Sequence, residues 1–124
     1  MKILIVDDED LIRRALERIL SQKNHLVTGA ENGVKALQIL DLNKDIDLVI
    51  LDLLMPEKNG FEVLAEMNPQ TPVIVISAFT GTKSENIQSD EYPNVIGFIK
   101  KPFEHIQTTI DSIEKLYANH IGKI

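Results

Sequence analysis

Residues 3–8 of the chain read Ile-Leu-Ile-Val-Asp-Asp, a short apolar run that ends in two acids. The run is continuously apolar and rich in β-branched side chains, which is typical of a strand buried on both faces. Similar runs recur at residues 26–27, 48–51, 73–76 and 95–99. This recurrence predicts a parallel sheet that is covered by helices on each side.

Stretches with helical spacing separate the apolar runs. In the first stretch, Leu11 and Leu16 fall on the apolar face, and Arg13 falls with the charged residues on the opposite face. Asp8 and Asp10 are candidate caps for this helix. Four more helices are predicted, around residues 34–40, 61–67, 84–90 and 103–117. The one at 84–90 has few apolar anchors, so we expect it to be short and loosely held.

Five strand-helix units in 124 residues predict an α/β fold of the (βα)5 type. Short right-handed crossovers then give a doubly wound, five-stranded parallel sheet with helices on both faces. We expect one domain over residues 1–120 and a short tail at 121–124.

Composition and charge narrow the functional class. The chain has no cysteine, which excludes disulfides, a thiol nucleophile and cysteine-based metal sites, and fits a cytoplasmic location. Its apolar runs are too short to cross a membrane. A net charge of −6 argues against direct binding to nucleic acid, because that affinity comes largely from Lys and Arg. We therefore expect a protein partner.

Two of the predicted strands run directly into acids. Residues 3–6 precede Asp7 and Asp8, and residues 48–51 precede Asp52. Because the carboxyl ends of parallel strands form the ligand-binding edge of such sheets, we expect these three carboxylates to lie together. A divalent cation would relieve their repulsion, and an oxygen-only cluster favours Mg²⁺, with Mn²⁺ as an alternative. Helix capping is the other interpretation of Asp7 and Asp8, but it explains Asp52 poorly.

A hydroxyl and an ammonium group follow the last two predicted strands at the same edge. Ser77 comes after the fourth strand, and Lys100 and Lys101 come after the fifth. Considered singly, the hydroxyl can bond local backbone and the lysines can be solvated. Combined with the acids, they form a phosphoryl-transfer site with Asp52 as a nucleophile that is already ionised at neutral pH.

The ordered set of these residues resembles the receiver domain of bacterial two-component response regulators, the CheY-like proteins, over nearly the whole chain. Five features carry the resemblance: Asp7-Asp8, Asp52 within Leu51-Asp52-Leu53-Leu54-Met55-Pro56 followed by Gly60, Ser77-Ala78, Phe98, and Lys101-Pro102-Phe103.

The resemblance implies a role for each site residue. Asp52 would accept a phosphoryl group from the phosphohistidine of a sensor histidine kinase or histidine phosphotransfer protein. Asp7 and Asp8, with Asp52 and the backbone carbonyl of Leu54, would hold Mg²⁺. Lys101 would pair with the phosphoryl oxygens. Such a protein is a phosphoacceptor signalling domain rather than an enzyme, because it catalyses only its own phosphorylation and dephosphorylation.

The resemblance also implies a switch. Ser77 would move onto the phosphoryl group and Phe98 would turn inward, which would change the surface made by the helix at 84–90, the fifth strand and the last helix. That surface would contact an output protein. The receiver itself would be a monomer or a phosphorylation-dependent dimer. A plain core role for Phe98 is the alternative. Apolar Leu54 and Phe79, two positions after Asp52 and Ser77, are expected to slow hydrolysis of the acyl phosphate.

Three other functions are open on the sequence. A flavodoxin-like flavin binder would share the fold but needs phosphate donors where residues 7–10 are acidic. An aspartate-nucleophile phosphohydrolase of the haloacid dehalogenase class would carry an acid at the position of Leu54. The third alternative is an interaction module on the same scaffold that acts without phosphorylation.

Overall fold

The computed structural model describes residues 1–78, 92–101 and 105–122. The strands are β1 (Lys2–Val6), β2 (Leu26–Ala30), β3 (Leu48–Asp52), β4 (Val73–Ser77) and β5 (Val95–Lys100). The helices are α1 (Asp10–Gln22), α2 (Gly33–Leu42), α3 (Gly60–Glu66) and α4 (Ile106–Ile121). The predicted helix at 84–90 lies outside the described residues, as do Phe79, Pro102 and Phe103.

All five strands are parallel and follow the order β2-β1-β3-β4-β5. This confirms the predicted doubly wound α/β architecture. Val6 of β1 is paired with Leu51 of β3, so Asp7 and Asp52 follow at the same level. Asp52 is in turn paired with Ile76 of β4, which places Ser77 one residue further along. The register therefore brings the predicted site residues to one edge of the sheet.

The sheet separates two hydrophobic clusters. Leu4, Val6 and Leu51 belong to the cluster that includes residues of α2 and α3. Ile5 and Ile50 belong to the cluster that includes residues of α1 and α4. Because successive side chains of a strand point to opposite faces, each central strand contributes to both clusters, as the continuous apolar runs predicted.

The edge strand β2 departs from this pattern. It is three residues longer than predicted, and its burial alternates along Leu26–Ala30, with Leu26 67% exposed. β2 lies at the end of the sheet and pairs only with β1 among the described strands, so its outer side is less covered. Thr28 and Gly29 interrupt the apolar run, so the sequence indicated only the first two residues of this strand.

The first helix corrects three sequence expectations. Leu11, predicted on the apolar face, is 88% exposed, whereas Arg13, predicted on the solvent face, is buried. Neither Asp8 nor Asp10 caps the helix, because Glu9 is the N-cap residue and makes no side-chain cap bond. Asp10 is instead the first residue of α1 and accepts a hydrogen bond from Arg13.

The start of α3 is packed directly against the end of β3. Asn59 caps the helix through a reciprocal capping box with Glu62, which satisfies backbone donors of the first turn. A Cβ on Gly60 would lie 2.5 Å from the backbone oxygen of Asp52. Glycine thus allows the close approach that holds the loop after Asp52.

The helices of the described residues lack the combination of length and apolar character that crossing a bilayer requires.

Candidate functional site

Three carboxylates lie together at the carboxyl edge of the sheet. Asp7 and Asp8 follow β1, and Asp52 is the last residue of β3. One oxygen from each lies within 4.8 Å of the others. Asp7 and Asp52 are buried and Asp8 is exposed. The structure therefore brings together the three acids that the sequence predicted as neighbours.

Asp52 is held in place by the loop that follows it. Its Oδ1 accepts a hydrogen bond of 3.2 Å from the backbone N–H of Leu54, and the residue is only 3% exposed. Burial raises the pKa of Asp52 to about 6, and the Asp7 charge adds to the rise, although Lys101 opposes it. At neutral pH the carboxylate is therefore mostly ionised, and its charge is costly to keep.

Asp7 is restrained through its backbone and through one carboxylate oxygen. Its N–H donates to the carbonyl of Ala30 at 3.1 Å, and its Oδ1 accepts from the backbone N–H of Glu9 at 2.9 Å. Oδ2 is buried without a hydrogen-bond partner, although Lys101 Nζ lies 2.8 Å away as an ion-pair partner. Oδ2 therefore already faces one positive charge, and it makes no hydrogen bond that a metal ion would have to replace.

Lys101 places one positive charge in contact with the acidic cluster. Its Nζ lies 2.9 Å from Glu9 Oε1 and 3.3 Å from Asp52 Oδ2, in addition to its contact with Asp7. Burial of this residue works against its charge, but its close contacts with Asp7 and Glu9 and the negative charge of Asp52 hold the pKa of Lys101 above its usual range. Lys101 is therefore a fixed positive charge at the site.

The donor set fits a hard divalent cation. Asp7 Oδ2 lacks a hydrogen-bond partner, and carboxylates of Asp8 and Asp52 are close enough to share an ion with it. Mg²⁺ and Mn²⁺ prefer oxygen ligands of this kind. Lys101 alone balances only part of the negative charge, since Glu9 also joins the cluster.

The remaining predicted residues lie around this centre. Ser77 is fully buried at the end of β4, and its carbonyl accepts from the backbone N–H of Lys101 at 2.9 Å. Phe98 of β5 is partly buried and packs against one hydrophobic cluster. Leu54 is 50% exposed beside Asp52. Lys100 is exposed, as expected of the neighbour of Lys101.

Sequence reasoning missed two residues. Glu9 follows the acidic pair directly, but adjacency did not indicate that its side chain reaches Lys101 across 92 positions. Arg13 was assigned to solvent because helical periodicity records polarity, not the direction of a long side chain. Its guanidinium donates to the Asp7 carbonyl at 2.9 Å.

Comparisons with known proteins agree with this geometry. The chain matches the response regulator receiver domain family over residues 3–113. It is 37% identical over 105 residues to Response regulator RR06 of Streptococcus pneumoniae, covering 83% of this chain and 47% of that protein. It is 35% identical over 109 residues to a Chemotaxis protein CheY homolog of Campylobacter jejuni, covering 83% of this chain and 82% of that protein.

A solved structure supports the same assignment. The response regulator TrrA of Thermotoga maritima, in complex with Mg²⁺ and BeF, superposes with a TM-score of 0.74 at 29% identity, covering 93% of this chain and 97% of that one. The chain spans less than half the length of RR06. Since the family match extends over most of the chain and the acids lie where the fold collects them, the chain belongs to the receiver domain family of two-component response regulators.

Proposed function

We propose that Asp52 is the phosphoacceptor and that it takes its phosphoryl group from the phosphohistidine of a sensor histidine kinase or a histidine phosphotransfer protein. The observation that carries the proposal is a buried carboxylate that lies 3.3 Å from the Nζ of a buried lysine and close to two further acids. A structural ion pair alone would not need three acids around one lysine.

The transfer is a displacement at phosphorus. An oxygen of Asp52 forms the new bond to phosphorus while the phosphorus–nitrogen bond of the donor breaks, and its electron pair stays on the imidazole nitrogen. Asp52 needs no general base, because its pKa of about 6 leaves it mostly ionised at neutral pH. Lys101 Nζ, 3.3 Å from Asp52 Oδ2, is close enough to donate to an oxygen of the incoming group.

Asp7, Asp8 and Asp52 would hold Mg²⁺, with the backbone carbonyl of Leu54 as a further ligand. The ion, when bound, neutralises charge on the phosphoryl oxygens during the transfer. The support is the buried Oδ2 of Asp7, which makes an ion pair with Lys101 but no hydrogen bond, and the closeness of the three carboxylates.

The signal would spread from Lys101 and Ser77. A phosphoryl group brings a charge of about −1.5 to −2 and competes with Asp7 and Glu9 for Lys101. Ser77 and Phe98, on the adjoining strands, would reorient and alter the surface formed by residues 84–90, β5 and α4. The protein would bind its output protein through this surface, either as a monomer or as a phosphorylation-dependent dimer. Residues 1–120 would make up the whole signalling domain.

Intact-mass measurement after incubation with acetyl phosphate tests the acceptor assignment. We expect one added phosphoryl group in the wild type with Mg²⁺, none with a chelator, and none in Asp52→Asn. Asp41→Asn is the matched control, because Asp41 is an exposed acid of α2 remote from the cluster. Since fast hydrolysis can hide the product, a titration with beryllofluoride followed by NMR accompanies it. The absence of any response in both experiments would contradict the proposal.

The lifetime of the acyl phosphate is a separate part of the proposal. Leu54 lies half-exposed next to Asp52, where an apolar side chain hinders the approach of water. Leu54→Asn and a Phe79→Glu variant are expected to shorten the lifetime. An unchanged lifetime in both variants would contradict the shielding role.

A further inference from the structure

Arg13 is a buried arginine whose side chain contacts the acidic segment 7–10, here called the acidic loop. We propose that Arg13 is a positioning residue, which fixes Asp7 so that its Oδ2, the carboxylate oxygen that makes no hydrogen bond, faces the cation. The inference rests on the proposed function, because it assigns Arg13 to the metal-binding geometry of the same site.

The guanidinium makes contacts with two residues of the acidic loop. Nη1 donates to the backbone carbonyl of Asp7 at 2.9 Å in a buried hydrogen bond. Nη2 donates to Oδ1 of Asp10 at 2.6 Å. The backbone N–H of Arg13 also donates to the carbonyl of Glu9 at 3.0 Å. Arg13 therefore ties together the start of α1 and the segment that carries the acids.

With Arg13 in place, one polar atom of Asp7 lacks a hydrogen bond. Its N–H is bonded to Ala30, its carbonyl to Arg13 and its Oδ1 to the N–H of Glu9. Only Oδ2 has no hydrogen-bond partner. Loss of the bond from Arg13 would leave the buried carbonyl unsatisfied, so the loop would turn to seek another donor and Oδ2 would turn with it.

Glu17 orients the guanidinium from its other side. Arg13 Nε lies 3.7 Å from Glu17 Oε1, one turn along α1. A Cβ on Gly29 of β2 would lie 1.7 Å from the same oxygen. The absence of a side chain at Gly29 thus provides the space for the carboxylate that faces Arg13.

A purely structural role would not require an arginine here. Burial of a charged group is expensive, and an apolar residue of similar size usually packs as well or better. Arg13 has a fork of donors that reaches a carbonyl and a carboxylate at once, which a lysine or an apolar side chain cannot do. The chemistry of the contacts therefore favours orientation over packing.

The test measures Mg²⁺ affinity by titration for Arg13→Met and for Arg14→Met. Arg14 is exposed and adjacent, so the control removes the same charge without touching the acids. We expect Arg13→Met to raise the Kd about tenfold, which is the size of effect seen when a partner of a metal ligand is removed. Arg14→Met should change the Kd by less than about twofold. Equal Kd values for the two variants would overturn the proposal.

Gly29→Ala covers the case in which Arg13→Met fails to fold. It changes no charge, but it displaces the Glu17 carboxylate, so we expect a smaller rise in Kd, about two- to threefold. An unchanged Kd in Gly29→Ala would overturn the role that Glu17 and Gly29 have in the proposal. Arg13→Lys keeps the charge but loses the fork, and should also bind Mg²⁺ more weakly than the wild type.

NMR of the metal-free protein separates this inference from the proposed function. The amide of Glu9, which donates to Asp7 Oδ1, should shift in Arg13→Met and remain in place in Arg14→Met. A wild type that does not bind Mg²⁺ contradicts the metal site, whatever Arg13 does. A wild type that binds Mg²⁺, with the Glu9 resonance unmoved in Arg13→Met, contradicts the positioning role alone.

Discussion

Lys101 is the side chain on which the charge balance of the metal-free site depends. Lys101→Met removes the ammonium group that lies near Asp7, Glu9 and Asp52. We expect the free energy of unfolding in chelator to fall by about 3 kcal/mol, because two buried carboxylates lose their partner. Phosphorylation from acetyl phosphate should also slow. Lys100→Met, at the exposed neighbour, should stay within about 0.5 kcal/mol of the wild type, and an equal loss in both would argue against a special role.

Asp52 should make stability depend on pH. Its pKa in the folded protein, about 6, lies above the ordinary 3.8, mainly because of burial. The folded state therefore binds the proton more tightly, and this contribution is complete below the ordinary value and is lost as pH rises through the folded one. In chelator, Asp52→Asn should gain about 2 kcal/mol relative to the wild type between about pH 4 and pH 7. Urea unfolding across this range measures it, and a constant difference would contradict it.

Residue types at strand ends predicted which side chains meet, but not how each is oriented. Asp7, Asp8, Asp52 and Lys101 were predicted as one site because parallel strands deliver their ends to a common edge. The contact of Glu9 with Lys101 depends on the rotamer of an exposed side chain, and a sequence pattern does not predict rotamers.

At the scale of elements, the junction of β3 and α3 determines where Asp52 stands. Gly60→Ala would place a Cβ 2.5 Å from the backbone carbonyl oxygen of Asp52 and 2.7 Å from Leu53 Cα, so the backbone must move. We expect a loss of about 1–3 kcal/mol in urea unfolding and weaker Mg²⁺ binding. Gly122→Ala, whose Cβ would lie no closer than 3.3 Å from its nearest neighbour, is the control and should be near neutral. If Gly60→Ala and Gly122→Ala lowered the free energy of unfolding equally, the close approach at Gly60 would not be what requires a glycine there.

The central elements were predictable because burial on both faces leaves a simple signature. β1, β3 and β4 are continuous apolar runs, and the structure gives each within a residue or two of the predicted limits. The predicted range of β2 was too short because buried and exposed residues alternate along this strand. The polarity pattern of α1 misplaced Leu11 and Arg13. The Arg13 guanidinium lies inward, where it donates to the Asp7 carbonyl and the Asp10 carboxylate, and helical periodicity does not predict such contacts.

For the whole molecule, cation binding should appear as stability. A ligand that binds only the folded state at about 100 times its Kd adds about 2.7 kcal/mol at room temperature. We expect Mg²⁺ to raise the midpoint of thermal unfolding in the wild type and in Asp41→Asn. Asp7→Asn should respond much less, because it loses a charged ligand. The same increase in all three proteins would indicate binding elsewhere.

The contact between Lys101 and Asp52 joins positions 49 residues apart in the chain, and that between Lys101 and Glu9 joins positions 92 apart. At a synthesis rate of about 5–20 residues per second, a ribosome adds Lys101 to the chain seconds after it adds Asp52. In a nascent chain, Glu9 and Asp52 are thus present before the lysine that pairs with them in the folded protein. The ion pairs of Lys101 with Glu9 and Asp52 can form only after synthesis has reached residue 101.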